Sequence, residues 1–268
     1  MVASAKDRLD DAFEAELLVA YAAGVERSHL YAHPEDCLSL EQVERAHDFI
    51  RRRQLGTPIA HLLGQREFYG RVFKVTPNVL IPRPETEGIV DEVHALPLCN
   101  QAKVVDVGTG SGCLGLTLAM EYPTWTVCTT DISNEAIEVC QENRLAHRLS
   151  NVAIYQGDLL EPLNGQMFDL IVANLPYVAP NDPHLTQGDL PHEPQQALVA
   201  EMDGLAVIEK LIAQAPSHLI RPGHLIVEHG FDQQAQIIRR LRQHGFDLIK
   251  PVKDLSGKPR LVVASISH

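Results

Sequence analysis

Asn174-Leu175-Pro176-Tyr177 has the makings of a clamp for a planar –NH2 group. The Asn174 side-chain oxygen can accept one N–H and the backbone carbonyl of Leu175 the other, while the Tyr177 ring can lie against the planar face. Two such acceptors draw on the N–H bonds and aim the nitrogen lone pair at an electrophile. A delocalised, weakly basic nitrogen gains reactivity from positioning and preorganised electrostatics, with no general base required. Earlier in the chain, VVDVGTGSGCLG carries glycines at 108, 110, 112 and 115. They let the backbone turn tightly and come close to a ligand. Asp131 follows after roughly twenty residues, the spacing at which a carboxylate takes ribose hydroxyls. Loop and carboxylate together predict an adenosine-containing ligand. Gly110-x-Gly112-x-x-Gly115 fits the dinucleotide pattern. A site for S-adenosylmethionine uses a similar loop, with an acidic residue such as Asp106 just before it, so the loop alone leaves both open. A purely structural origin exists for each motif: a strand–helix packing turn for the glycines, and an Asn-capped strand end for 174–177.

These residues need strand ends to hold them. From about residue 100, short apolar runs alternate with helical stretches, at 103–107, 126–130, 152–155, 170–173, 224–228, 246–252 and 261–266. Strands alternating with helices predict the α/β class, a mostly parallel sheet covered on both faces. Only KDLSGKPR separates the last two runs. That is too short for a crossover helix, so the final strand should return antiparallel. The fourth strand is expected beside the first, which puts 174–177 at the carboxyl edge where open sheets bind ligands. A helix over 231–244 should cover the sheet, and Trp125, just before a strand, reads as packing. Upstream, Leu9, Phe13, Leu17, Leu18 and Tyr21 recur at helical spacing. Ser39 and Gln42 form a capping box for a second helix whose apolar face is Val43, Ala46 and Ile50. Residues 66–82 alternate aromatic and β-branched residues with polar ones and read as extended or hairpin structure. The expected organisation is a helical domain at 1–64, a hairpin or linker at 65–90, and a ligand-binding domain at 91–268.

Composition narrows the partners. Lys and Arg number 23 against 35 Asp and Glu, a net charge of −12 over 268 residues. That field opposes a nucleic-acid backbone, and Arg51, Arg52 and Arg53 read as a solvated helix face. No run approaches the roughly 18 apolar residues of a membrane helix. The start turns acidic where a signal peptide would be apolar. No nucleic acid, no membrane and a cytoplasmic location are therefore expected. The five cysteines are widely spaced without a C-x-x-C and read as free thiols. His29 and His33 lack the Glu of a metalloprotease helix and run into Pro34, so no metal is expected.

Taken in order, the chain resembles the N5-glutamine methyltransferases that modify class I peptide chain release factors. The matching stretches are GTPIAHLLGQREFYG at 56–70, LIPRPETE at 80–87, VVDVGTGSG at 104–112 and FDLIVANLPYV at 168–178, followed by EPQQAL at 193–198, DGL at 203–205, the glutamate of IVEHG at 228 and KDLSGKPR at 253–260. The resemblance implies a seven-stranded Rossmann-like methyltransferase domain dependent on S-adenosylmethionine. It also implies a small N-terminal helical domain for substrate recognition and a β-hairpin linker. Gly108, Thr109, Gly110, Ser111 and Gly112 would hold the methionine part of the donor, Asp131 its ribose, and Asp158 with Leu159 its adenine. Asn174 would touch donor and substrate amide, and Leu175, Pro176 and Tyr177 would complete the glutamine pocket. Arg83, Pro84 and Glu85 would line the cleft. The reaction implied moves a methyl group to the side-chain amide of the glutamine in a Gly-Gly-Gln loop, leaving S-adenosylhomocysteine.

Two positions depart from the family. The usual tetrapeptide is Asn-Pro-Pro-Tyr, and Leu175 keeps the carbonyl but loses the fixed φ of proline. Asn-Leu-Pro-Tyr is also similar to the motif of adenine dimethyltransferases acting on ribosomal RNA. Leu159 stands where some members carry a large aromatic. A ribosomal-protein glutamine and an RNA adenine amine are the alternative substrates. LIPRPETE disfavours the first and the acidic charge the second. A nicotinamide oxidoreductase would leave 174–177 unexplained, and a non-catalytic donor-binding module has only Leu175 in its favour. Glu193 and Pro194 either orient the clamp or cap a loop, and Glu228, at a strand end, stands behind the site.

Overall fold

The structure is a computed structural model, described for residues 1–9 and 11–267. Residues 1–65 with 184–192 form one compact unit, and residues 66–183 with those from 193 onward form the other.

The first unit is helical: α1 (Val2–Lys6), α2 (Ala12–Ala23), α3 (His29–Ala32), α4 (Leu40–Gln54) and α5 (Ile59–Leu63). At the start of α4, Ser39 accepts from the Gln42 N–H while the Gln42 side chain accepts from that of Ser39, the capping box expected from the sequence. The expected stripe is buried only in part: Leu9 and Leu18 are in the core, Leu17 and Tyr21 are half-buried, and Phe13 is not buried. Asp11 caps α2 by accepting from the backbone N–H groups of Phe13 and Glu14, so α1 and α2 are separate helices with Leu9 in the turn between them. That start turns Ala15, Leu18, Val19 and Ala22 inward against Ala46 and Ile50. Phe13 is exposed, with the Arg27 guanidinium 4.2 Å from its ring centroid. The arginine triplet also divides. Arg51 and Arg52 face solvent as expected. Arg53 instead donates to both carboxylate oxygens of Glu14, at 2.7 and 2.8 Å, and to Asp189 at 2.9 Å, joining the 184–192 segment to the helices of this unit.

A hairpin follows, β1 (Gln65–Phe68) and β2 (Arg71–Lys74), all of it but Gln65 in the second unit. Tyr69 and Gly70 link the strands at φ 51° and 70°, the paired positive φ that matches strand twist in a two-residue turn. The main sheet comprises β3 (Lys103–Val107), β4 (Thr126–Asp131), β5 (Val152–Gln156), β6 (Phe168–Ala173), β7 (Leu219–Glu228), β8 (Leu248–Lys253) and β9 (Pro259–Ile266). Its order is β5-β4-β3-β6-β7-β9-β8. β9 runs antiparallel to both neighbours, as the short preceding segment requires, and the other pairings are parallel. Phe246 was expected in the penultimate strand. It is buried in the core as the chain leaves a helix, and β8 begins two residues later.

Side chains alternate along each strand, and both faces are covered. Val104, Leu170 and Ile226 meet α6 (Glu87–His94), α7 (Cys113–Glu121) and α8 (Asn134–Ala146). Val105, Ile171 and Leu225 meet the opposite layer, which follows the short α9 (Gln195–Leu198) and contains α10 (Ala206–Gln214) and α11 (Gln234–Gln243). Trp125 is packing, as expected: it stacks on Tyr122 with ring centroids 3.7 Å apart, and its indole N–H donates to the Cys99 carbonyl.

Gly204 marks the tightest backbone approach in this unit. Its φ is +84°, and a Cβ there would lie 2.0 Å from the Tyr177 carbonyl oxygen. Gly165 has a similar φ of +78° but open space around it. Gly165→Ala should therefore lose only the left-handed backbone penalty, about 1–2 kcal/mol. Gly204→Ala should lose roughly 3 kcal/mol or more, because backbone must also move. Urea denaturation of the two variants compares them directly, and equal losses would contradict the contact.

Candidate active site

β3 delivers the chain to the glycine loop, and the loop is built by backbone hydrogen bonds. The N–H groups of Gly108 and Thr109 both donate to the Thr130 carbonyl at 2.9 Å, so the first residues of the loop stay attached to β4. Gly112, at φ 84°, then caps α7. Asp106 lies beneath the loop, 1 % exposed. One of its oxygens accepts from the Thr109 hydroxyl at 2.5 Å and the Gly115 N–H at 2.9 Å. A Cβ at Gly115 would fall 2.9 Å from that same oxygen, so the last glycine of the motif makes room for a buried carboxylate. Burial pushes Asp106 up to about 6, with the two hydrogen bonds opposing it. Asp131, at the end of β4, accepts from the Gly110 N–H at 2.8 Å and the Ser133 N–H at 3.0 Å, and burial raises its pKa too. From α8, the Asn143 amide donates to the carbonyl of Ser111 at 2.8 Å, which holds the far side of the loop.

The loop forms one wall of a cavity of about 610 Å³ within this unit. Gly108, Thr109, Gly110, Ser111, Asp131, Asp158 and Leu159 all line it, as do Asn174, Leu175, Pro176 and Arg83. Gly112, Pro84, Glu85 and Tyr177, also expected at the site, do not. Glu85 is exposed on the turn before α6, and the Tyr177 hydroxyl is directed to Glu228 at 3.1 Å. Asp158 takes the ammonium of Lys210 at 2.5 Å. Arg83 is held by Glu193, whose side chain is fully buried and also accepts from the Ile81 N–H at 2.8 Å. Of the two readings of Glu193, the geometry therefore gives an anchor for the 81–83 segment.

The sequence reading passed over Thr86. Buried between Asn174 and Glu228, it accepts from the Asn174 amide at 2.9 Å and donates to Glu228 at 2.7 Å. It lies within LIPRPETE beside the charged Arg83 and Glu85, and nothing in the spacing marks its hydroxyl. Ile132 and Asn143 were also missed. Ile132 is a large apolar residue, 54 % exposed, in the cavity wall beside Asp131. Nothing in its spacing marks it as a ligand contact.

The chain is similar to known proteins along most of its length. A "Release factor glutamine methyltransferase" from Coxiella burnetii is 40% identical over 94% of this chain and 90% of its own length. One from Pseudomonas aeruginosa is 41% identical over 93% of this chain and 91% of its own. The chain belongs to this family. Residues 2–64 match the PrmC N-terminal domain model, and residues 90–190 match the Methyltransferase small domain model. Among solved structures, a ribosomal protein L11 methylase from Lactobacillus delbrueckii subsp. bulgaricus superposes with a TM-score of 0.53 at 24% identity, covering 75% of this chain and 91% of that one. A methyltransferase from Pyrococcus furiosus gives 0.58 at 16%, covering 81% and 98%. These two likenesses show the fold, a Rossmann-like methyltransferase sheet. The nicotinamide reading of the glycine loop falls with the family assignment. Among the described residues, no helix is long and apolar enough to cross a membrane.

The perturbed Asp106 makes a stability prediction. Between about pH 4 and pH 6 the folded chain holds this proton more tightly than the unfolded chain. The contribution of Asp106 therefore falls as pH rises through that window, by about 3 kcal/mol in all. Asp106→Asn presents one oxygen to the same two donors and cannot ionise. Its stability relative to the natural chain, from urea midpoints, should rise across that window. A difference that stays constant with pH would contradict the shift.

Proposed function

We propose that this chain transfers a methyl group from S-adenosylmethionine to the side-chain amide of the glutamine in the Gly-Gly-Gln loop of a class I peptide chain release factor. The observation that carries the reading is Asn174. It stands in the wall of the cavity that also holds the glycine loop, with its amide N–H committed to Thr86. Its carbonyl oxygen is thereby left to accept from a substrate –NH2.

The cavity residues suit the donor. Gly110 has no atom within 4 Å of where a Cβ would be, which leaves a cradle for a ligand. Asp131 keeps lone pairs for ribose hydroxyls beyond those given to Gly110 and Ser133. Ile132, Leu159 and Val207 offer apolar surface for a purine, with Asp158 beside them. Asp106, Asp131, Glu135 and Asp158 outnumber Arg83 and Lys210 in the lining, an acidic excess that favours a cation. The donor supplies an electrophilic methyl group on a sulfonium. The protein's part is to hold the amide nitrogen: Asn174 Oδ1 takes one N–H and the Leu175 carbonyl the other, with Pro176 stiffening the turn. Arg83, fixed by Glu193, and the exposed Glu85 are available to the substrate loop. The N-terminal helical domain, residues 1–64, recognises the body of the release factor, residues 65–90 are its linker, and residues 91–268 carry the chemistry. A translation-factor substrate places the enzyme in the cytoplasm. A ribosomal-protein glutamine and an RNA adenine amine remain the alternative substrates.

Mass spectrometry of the Gly-Gly-Gln peptide tests the reading, after incubation of an unmodified class I release factor with the chain and donor. One added methyl on the glutamine is expected. Asn174→Ala should lower the rate at least about 100-fold while calorimetric donor affinity stays within about threefold. Donor binding with no methylated glutamine would move the reading to another amine, with ribosomal proteins and ribosomal RNA tested next.

A further inference from the structure

Asn174 is useful to an –NH2 substrate in only one of its two orientations. A carboxamide rotated by half a turn would present its own –NH2 to the substrate's –NH2, two donors facing each other. Something must choose between the two, and a hydrogen-bond chain behind Asn174 has the polarity to do so. Asn174 Nδ2 lies 2.9 Å from Thr86 Oγ1, Thr86 Oγ1 lies 2.7 Å from Glu228 Oε2, and the Tyr177 hydroxyl lies 3.1 Å from Glu228 Oε1. Glu228 is 1 % exposed and Thr86 3 %.

The direction of every bond follows from donor counting. A carboxylate only accepts. Thr86 and Tyr177 must therefore turn their single hydroxyl protons toward Glu228. With its proton spent, Thr86 Oγ1 can only accept from the next neighbour, and the amide nitrogen of Asn174 is the group that can donate. Nδ2 is drawn back, and Oδ1 faces the cavity. Opposite rotation of Asn174 would set its oxygen against a hydroxyl oxygen with no proton to offer, an unmade bond in a buried place. We propose that Thr86 and Glu228 are positioning residues that set which end of the Asn174 carboxamide meets the substrate, and so act on turnover without touching it. The inference rests on the methyl-transfer reading above.

The carboxylate form is required, and the surroundings both oppose and support it. Burial raises Glu228 to about 7, with Glu85 adding to the rise, while Thr86, Tyr177 and the nearby Arg260 guanidinium favour the charge. Arg260 is itself held by Asp254 at 3.3 Å. The neighbouring His229 is buried, and burial lowers its pKa. Assays at pH 8 therefore examine the chain with its acceptor formed.

The test uses Thr86→Val, which keeps the shape and removes the hydroxyl, and Thr86→Ser, which restores it. With saturating release factor and donor at pH 8, turnover by Thr86→Val should fall at least about tenfold below Thr86→Ser, and the KM for the donor should stay within about twofold. Glu228→Met is the second variant. It keeps the length of the side chain and removes both acceptor oxygens, so Thr86 is free to turn its proton toward Asn174, and turnover should fall at least about fivefold. A Thr86→Val rate within tenfold of Thr86→Ser would overturn the proposal, as would a loss confined to donor KM or a Glu228→Met rate within fivefold of the natural chain. Should Thr86→Val fail to fold, the Glu228→Met result decides alone. Failure of the natural chain to methylate the release factor would instead count against the methyl-transfer reading, which keeps the two failures apart.

Discussion

The site depends on a reversal in the order of the strands. The chain lays β3, then β4 and β5, outward in one direction, and returns to place β6 on the other side of β3. Connections leaving β3 and β6 therefore run to opposite sides, and a crevice opens between their carboxyl ends. The glycine loop leaves β3 at one lip, and Asn174 leaves β6 at the other. No residue in either motif could make the crevice alone. It follows from the alternation of strands and helices and from one change of direction in the sheet.

Opening a crevice into a sheet exposes a difficulty, since strand ends bring polar groups into a region that is otherwise packed. Each buried carboxylate there is answered by donors from its own surroundings. Asp106 takes Thr109 and Gly115. Glu193 takes Arg83 and the backbone of Ile81. Glu228 takes Thr86 and Tyr177. For the last two, the partners are remote in sequence, so these carboxylates act as fasteners between segments that the sheet alone does not join. Removal of one partner leaves a buried acceptor unmet and costs more than the pair contributes. The segment 80–87 needs this treatment most. It has only a short helical turn of its own, and it is secured at Ile81 and Arg83 by one carboxylate and at Thr86 by another.

Much of this was legible in the sequence because periodicity reports burial. The strands, the antiparallel return of β9, the hairpin before the sheet and the capping box at Ser39 all follow from local spacing. The glycine loop and Asn174 were legible because few residue types serve those purposes. What escaped depends on contacts between distant segments. Thr86 gives no signal, since threonine is common on surfaces and only its neighbours Asn174, just past β6, and Glu228, at the end of β7, give it a role. Phe13 was misread for a related reason. Its spacing fits an apolar stripe, but the cap at Asp11 sets where the helix begins and which residues turn inward. Arg53 reads as one of three exposed charges until Glu14 and Asp189 are seen around it.

Leu175 shows how packing can stand in for covalent stiffness. Proline would fix φ at this position regardless of its surroundings. Leucine has no such restriction, but its side chain is only 4 % exposed, and a Cβ on Gly108 would come within 2.7 Å of its Cδ2. Burial of a leucine side chain is worth about 1.5–3 kcal/mol, ample to hold one backbone conformation. The consequence differs from that of proline. A residue fixed by φ is rigid on its own, whereas one fixed by packing takes its position from its neighbour. Here that neighbour is the glycine loop. The carbonyl proposed to receive the substrate amide is thus tied to the loop proposed to hold the donor, and a displacement of either is felt by the other. Gly108 is constrained twice over, by its φ of 72° and by the leucine that lies against it.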